Sequence, residues 1–75
     1  MQSAVITNTV SLGAVLSTAR TLAGRTQEEA SAAASVPRPY ISALESGKHT
    51  MALNRLFRLL DSYGAKMYLE MPGES

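Results

Sequence analysis

Residues 26–48 decide the fold, and they read TQEEASAAASVPRPYISALESGK. The stretch opens with Thr26 and carries Glu29 three residues later. This is the spacing of a capping box, in which a threonine hydroxyl and a glutamate carboxylate each bond the backbone amide of the other residue. A short helix rich in small residues is therefore predicted from here through Ala34.

Prolines at positions 37 and 39 interrupt this helix. Because each proline disfavours the helical region for the residue before it, Val36 and Arg38 are expected to be extended. The next helix is expected to start at Pro39, since the first turn of a helix tolerates proline, and to run to Ser46. Gly47 then ends it. Two short helices joined by a tight turn predict a helix-turn-helix pair.

A longer helix is predicted before this pair. Asn8 or Ser11 can cap its start, and Gly24 is placed to end it. Its apolar residues recur at the spacing of one helix face, and they are Leu12, Val15, Leu16, Ala19, Leu22 and Ala23. Residues 1–8 have isolated apolar side chains and are expected to form an N-terminal arm with a frayed end.

A fourth helix and a strand are predicted after the pair. The helix runs from Leu53 to about Tyr63 and stops at Gly64, and its expected buried stripe is Leu53, Leu56, Phe57 and Leu60. Residues 65–71 then alternate with the period of a strand, and Pro72 and Gly73 end it. The expected division is an arm at 1–8, a helical domain at 9–64, a strand at 65–71 and a tail at 72–75.

This single predicted strand has no evident partner within the chain. It could pack as an extended tail on the helices, or it could pair with the same strand of a second copy, which would satisfy its backbone donors and acceptors. A chain of 75 residues without cysteine builds a thin core that no disulfide reinforces, and such domains gain stability by oligomerising. We therefore expect a homodimer whose strands pair through Lys66, Met67, Tyr68, Leu69, Glu70 and Met71.

Composition excludes several functional classes. With no cysteine and one histidine, the chain lacks the ligands of a zinc site, and it has no glycine-rich phosphate loop. Enzymatic activity and a cofactor are therefore not expected. The longest uncharged run, residues 1–19, is too polar to span a membrane and lacks the pattern of a secretory signal, which favours a cytoplasmic location. A net charge of +1 is low for a nucleic-acid binder, although the distribution of charge matters more than its sum.

The region from Leu12 to Gly64 resembles the lambdoid phage repressor and Cro family, also called the XRE family. The matching segments are Thr26 to Glu29, Ala34 to Val36, Tyr40 to Lys48 and Leu53 to Leu56. The resemblance implies an all-α, lambda-repressor-like bundle of four to five helices, with a C-terminal β-strand that pairs across a homodimer. It also implies a sequence-specific transcriptional repressor that binds double-stranded operator DNA.

A narrower resemblance is to HipB-type antitoxins. Residues 47–53 carry it, together with residues 59–65, which run directly into the strand. Proteins of this group repress their own operon and bind a HipA-type kinase toxin. Two alternatives stay open, namely a stand-alone phage-type regulator and a mainly protein-binding module that sequesters its partner.

The resemblance also implies roles for individual residues. Those expected to face the bases are Arg38, Pro39, Ser42 and Ala43. Those expected to contact phosphates are Thr26, Gln27, Tyr40, Lys48 and His49. Arg20 and Glu45 match a salt bridge between the first and third helices. An arginine can donate two hydrogen bonds to guanine, although a phosphate contact remains the alternative for Arg38.

The chain departs from the family pattern at three positions. Ser35 stands where the family often has a glycine in a left-handed conformation. Pro37 replaces the usual serine or threonine cap, and Pro39 is an additional proline. These prolines can shift the start of the recognition helix by about one residue.

Overall fold

The computed structural model describes residues 2–48 and 51–71. Within them, four helices and two strands follow one another in the order β1 (Gln2–Ile6), α1 (Thr9–Leu22), α2 (Gln27–Ala34), α3 (Arg38–Glu45), α4 (Met51–Ser62) and β2 (Met67–Met71). The predicted helical bundle with a C-terminal strand is confirmed. His49 and the residues predicted to end the strand, Pro72 and Gly73, lie outside the described residues.

Both predicted caps of α1 take part in one capping box. The Asn8 side chain accepts a hydrogen bond from the Ser11 amide at 2.8 Å, and the Ser11 hydroxyl accepts one from the Asn8 amide at 3.1 Å. The predicted box of α2 is also present, since Thr26 Oγ1 accepts from the Glu29 amide at 3.1 Å and Glu29 Oε1 accepts from the Thr26 amide at 2.9 Å. Local sequence therefore fixes where both helices begin.

The turn between α2 and α3 depends on two serines. Ser35 lies in the left-handed region with φ 56°, the conformation for which a glycine would be preferred. Ser31, one turn earlier, donates its hydroxyl hydrogen to the Val36 carbonyl and accepts the Val36 amide on its own carbonyl at 3.2 Å. These bonds hold the chain in the path that leads it from α2 into α3.

The predicted extended conformation of Arg38 is wrong, because α3 starts at this residue with Pro37 as its N-cap. The amides of Tyr40 and Ile41 donate to the Pro37 carbonyl at 3.0 and 3.3 Å, which closes the first turn around Arg38. Pro39 occupies a first-turn position, where a missing amide costs no intrahelical hydrogen bond. The ease with which the first turn accepts Pro39 outweighs the tendency of a proline to keep the residue before it, here Arg38, in an extended conformation.

The backbones of α1 and α3 cross in direct contact at Gly13, which is buried. A Cβ atom added to Gly13 would lie 2.3 Å from the Leu44 carbonyl oxygen and 2.8 Å from that of Glu45. No side chain fits at these distances. The absence of a side chain at Gly13 therefore sets the separation of α1 from the last turn of α3.

The N-terminal arm forms a strand, contrary to the expectation that it frays and that β2 has no partner in its own chain. β1 pairs with β2 in antiparallel register, with Ile6 opposite Met67 and Gln2 opposite Met71. Ile6 and Met71 are buried apolar residues, 2% and 5% exposed. Alternation in β2 follows the prediction, since Met67, Leu69 and Met71 face inward. Ala4 and Ile6 thus lie on the inner face of the sheet, half-buried and buried, whereas Val5 between them is 47% exposed.

The remaining apolar surface is poorly covered. Among the described residues, Ile6 and Met71 are the only buried hydrophobic ones. The predicted burial of Leu22 and Leu56 is wrong, because these side chains are 42% and 39% exposed. In the described part of the chain no element packs over them closely enough to exclude water.

Substitution of Gly13 by alanine is expected to destabilise the fold by about 1–3 kcal/mol, because the new Cβ forces α1 and α3 apart. The matched control is Ala14→Gly at the neighbouring exposed position, which costs about 1 kcal/mol of helix propensity. Urea unfolding followed by circular dichroism measures both. A Gly13→Ala variant more stable than the wild type, as helix propensity alone would give, contradicts the close crossing.

Substitution of Ser35 by glycine is expected to stabilise the fold by about 0.5–1 kcal/mol, because it removes the strain of a left-handed serine. For a domain of this size the gain raises the melting temperature by about 2–8 °C. Ser35→Ala is the control, since it keeps the Cβ and should bring no gain. A glycine variant no more stable than the alanine variant would show that the left-handed turn is not strained.

Candidate nucleic-acid interface

The first turns of α2 and α3 lie side by side. Arg38 Nη1 approaches Gln27 Oε1 at 3.5 Å, and this contact joins two residues expected to face DNA. Arg38 is exposed, whereas Gln27 is half-buried. The structure therefore brings an arginine at the start of one short helix beside the start of the other.

The N-terminus of α2 presents backbone amides. The first intrahelical bond of this helix is donated by Ala30 to the Thr26 carbonyl at 2.9 Å, and the Glu29 amide bonds the Thr26 hydroxyl. The amides of Gln27 and Glu28 precede these bonds, and amides at this position suit a phosphate oxygen. Thr26 is exposed, and both its hydroxyl and its amide take part in the capping box with Glu29.

The start of α3 differs from that of α2, because Pro39 contributes no amide and the N-cap Pro37 has no side chain that could cap. This end of α3 therefore offers side chains, rather than a set of free backbone amides, for contact with a ligand. Arg38 and Pro39 are exposed, Ser42 and Ala43 are half-buried, and the Tyr40 ring is 53% exposed. Of these, Arg38 is the long polar side chain able to reach a base edge.

Two further basic residues lie close in sequence to these helices, one after α3 and one before α2. Lys48 follows α3 and is exposed, with its amide bonded to the Ala43 carbonyl at 3.0 Å. Arg25, which directly precedes the N-cap of α2, is also exposed and was not singled out by the sequence reasoning. A basic residue immediately before a capping box was the signal that could have identified it. His49 lies outside the described residues.

The Arg20–Glu45 salt bridge is present and joins α1 to α3. Arg20 Nε and Nη2 donate to the two carboxylate oxygens of Glu45 at 2.8 and 2.9 Å, a bidentate pairing. Arg20 Nη1 also donates to the Arg25 carbonyl at 2.7 Å, which holds the loop before α2. The Glu45 side chain is 10% exposed. The hydrogen bonds that its carboxylate accepts from Arg20, and to a smaller extent the one from Gln27, lower the pKa of Glu45.

Acidic residues limit the positive charge of this surface. Glu28 and Glu29 both lie in the first turn of α2. The hydrogen bonds that Glu29 receives from the Thr26 amide and hydroxyl lower its pKa, so its carboxylate is committed to the cap in the ionised form. The result is a modestly basic surface, which agrees with the small net charge of +1.

Metal-ligand clusters and membrane-spanning helices are not found in the described residues. They contain no group of three or more potential metal-ligating histidine, cysteine or acidic side chains. None of the helices in this part of the chain is long and apolar enough to cross a membrane.

Comparison with known proteins agrees with this geometry. No curated protein and no solved structure shows significant similarity to the chain. A family model described as a helix-turn-helix domain matches residues 11–67, more than half of the chain, and this match includes α2, α3, the turn between them and α4. The chain therefore belongs to the helix-turn-helix domain family.

Proposed function

We propose that the protein is a dimeric transcriptional repressor that binds a specific duplex DNA operator through α2 and α3. The observation that carries this proposal is the exposed Arg38 at the start of α3, beside the N-terminus of α2. In helix-turn-helix proteins the second short helix lies in the major groove, while the first crosses the DNA backbone. Arg38 then reaches base edges, where a guanidinium pairs best with guanine O6 and N7.

The other residues proposed to contact DNA form two groups, one that contacts bases and one that contacts phosphates. Pro39, Ser42 and Ala43 lie along α3 and provide short contacts to the bases, such as an apolar contact with a thymine methyl group. Thr26, the amides at the start of α2, Tyr40, Lys48 and Arg25 provide phosphate contacts, and His49 is assigned to the same group from its sequence position. Phosphate contacts fix the register of the protein on the duplex, and base contacts supply the specificity.

A homodimer is supported by apolar surface that this chain leaves uncovered. Leu56 and Leu59 of α4, and Tyr63 directly after the helix, are 39%, 50% and 71% exposed. We call these three residues the α4 stripe, because their spacing is that of one helix face. The adjacent face of α4 is directed to the sheet, since Phe57 and Leu60 line with Ile6 and Met67 a cleft of about 190 Å³. The apolar side of α4 is thus wider than the sheet can cover.

The sheet offers a second feature for dimerisation. β2 pairs with β1 on one edge, and in the described residues its other edge has no strand beside it. Pairing of two β2 edges across a two-fold axis would give a four-stranded sheet and satisfy the open backbone groups of residues Lys66–Met71. A dimer also places two recognition helices about 34 Å apart, one turn of DNA, as a palindromic operator requires.

The dimer is expected to dissociate when Leu59 is replaced by glutamate, because the new charge would be buried in the interface. Arg55→Gln is the control, since it lowers the net charge by the same amount at an exposed position of α4. Sedimentation equilibrium should show dimers for the wild type and for Arg55→Gln, and folded monomers for Leu59→Glu. A monomeric wild type, or a dimeric Leu59→Glu variant, contradicts the proposed interface.

The proposal includes a protein partner, a HipA-type kinase toxin encoded in the same operon and held inactive by this repressor. The support for it is the resemblance of residues 47–53 and 59–65 to HipB-type antitoxins. Under this proposal the protein represses its own promoter and is its toxin's antitoxin. DNA recognition is placed on α2 and α3, which leaves α1, α4 and the sheet for contacts with the dimer mate and the toxin.

Replacement of Arg38 by alanine tests both parts of the proposal. We expect it to weaken binding to the operator by roughly five- to hundredfold while leaving co-purification with the adjacently encoded protein unchanged. Arg58→Ala is the control, since it removes the same charge from α4 and should affect all duplexes alike. The measurement is fluorescence anisotropy against the chain's own promoter DNA at several salt concentrations, because binding through phosphates weakens steeply with salt.

Three outcomes would contradict the proposal. Absence of salt-dependent binding to the promoter by the wild type would refute the repressor function. Unchanged operator affinity in Arg38→Ala would refute the assigned base contact. Failure of the adjacently encoded protein to co-purify with the wild type would refute the antitoxin role and favour a stand-alone regulator.

A further inference from the structure

We infer that the protein has a second binding site, an apolar cavity between α1, α2 and α3 that takes a small uncharged aromatic molecule. The bound molecule acts as a corepressor, which strengthens binding to the operator. The corepressor role rests on the proposed function, whereas binding of the aromatic molecule does not.

The cavity has a volume of about 250 Å³. Its apolar wall consists of Leu16 in α1, Ala30 and Ala34 in α2, Val36 in the turn, and Ile41 and Leu44 in α3. The space exists because α2 contributes two methyl groups where larger side chains would fill it. The larger apolar residues of the wall are only half-buried for the same reason. Since an apolar cavity of about 150 Å³ takes benzene, this one has room for a molecule of one or two rings.

Contacts at the borders of the cavity keep the three helices from closing over it. At Gly13 the backbones of α1 and α3 already touch, so these helices cannot approach further. The hydrogen bonds from Arg20 to Glu45, at 2.8 and 2.9 Å, fix the same two helices at a second point. Ser31 holds the turn between α2 and α3 through Val36, whose amide donates to its carbonyl at 3.2 Å. The cavity is therefore preformed, and a ligand does not have to open it.

The groups around the cavity favour an uncharged aromatic ligand. Arg20 and Glu45 line it, but their bidentate pairing neutralises both charges. In the described residues no buried side-chain nitrogen or oxygen lacks a hydrogen-bond partner, so a charged ligand would find no partner for its charge. Tyr40 also lines the cavity, and aromatic rings pack favourably against another ring and against a guanidinium group. An aromatic molecule thus gains contacts here that an aliphatic one does not.

Two walls of the cavity belong to the helices proposed to contact DNA. Ala30 lies in α2, and Tyr40 and Ile41 lie in α3. A molecule that fills the space between them fixes the position of Arg38 relative to the phosphate contacts of α2. When this arrangement is fixed before DNA binds, binding costs less ordering of the protein. The coupling is reciprocal, so DNA must strengthen binding of the aromatic molecule by the same factor.

Indole serves as the probe of the cavity, and its binding is followed through the amide resonances of the ¹⁵N-labelled protein. We expect saturable binding with a Kd of about 0.1–1 mM, and the largest shifts at residues Ala30, Val36, Ile41 and Leu44. Benzoate carries a charge, and cyclohexanol has no aromatic ring. Both should bind at least about tenfold more weakly than indole. Absence of saturable indole binding overturns the inference, and equal binding of the three probes overturns the assigned ligand class.

Replacement of Ala30 by leucine tests the location of the site, because the larger side chain fills the cavity. Ala33→Leu is the matched control, since it makes the same change at an exposed position of α2 outside the cavity wall. Indole binding should be lost in Ala30→Leu and kept in Ala33→Leu, and circular dichroism checks that both are folded. If Ala30→Leu does not fold, Ala34→Leu replaces it in the same comparison. Equal binding by the cavity and control variants overturns the assigned site.

The corepressor role is tested with a duplex that the wild type selects from a random library. Saturating indole should strengthen binding of this duplex by roughly five- to twentyfold in the wild type and have no effect in Ala30→Leu. An unchanged or lower affinity in the presence of indole overturns the corepressor role. Failure of the wild type to select any duplex, while indole still binds, overturns the proposed function and leaves the binding site supported.

Discussion

The contact between α1 and α3 is the constraint on which the rest of the structure depends. At Gly13 the two backbones approach more closely than any side chain would allow, and near the other end of α1 the Arg20–Glu45 pair joins the same two helices. The Arg20 guanidinium also holds the loop before α2, and Glu45 holds Gln27 at the start of α2. One packing contact and one ion pair thus place both short helices on α1. Removal of either charge alone would leave its partner unpaired in a half-buried site, which costs more than loss of the pair.

Sequence reasoning succeeded where a local signal determines the structure. The capping box at Thr26 and Glu29 and the alternation of β2 are both present, because each depends on residues a few positions apart. The left-handed conformation of Ser35 was expected from the family resemblance and is also present. The Arg20–Glu45 pair, although distant in sequence, was identified from the family resemblance. The start of α3 was displaced by one residue, since two competing preferences of proline meet at Arg38.

Features that depend on residues far apart in the chain could not be predicted from local sequence patterns. Residues 2–6 carry no clear strand pattern, and their pairing with residues 67–71 depends on how the helices bring the two ends of the chain together. Leu56 was predicted to be buried beside Phe57 and Leu60, which are half-buried, but it lies on the side of α4 that no described element covers. The contacts of Gln27 with Glu45 and Arg38 were missed because they need the tertiary arrangement of α1, α2 and α3. A sequence shows which residues can form hydrogen bonds, but not which of them meet.

The protein combines a small surface proposed to contact DNA with apolar surface that its own described residues leave exposed. In the proposed function, Arg38, three short side chains of α3 and a set of phosphate contacts serve recognition. Within the described residues, the uncovered face of α4 and the edge of β2 that has no strand beside it support the proposed second copy. Titration of the ¹⁵N-labelled protein with its selected duplex, followed through backbone amide resonances, tests this division most directly. The account predicts that the largest shifts occur at residues 26–28, 38, 40–43 and 48, with little change at Val5 and Tyr68 on the outer face of the sheet. Largest shifts on the sheet or the α4 stripe, with α3 unaffected, would contradict it.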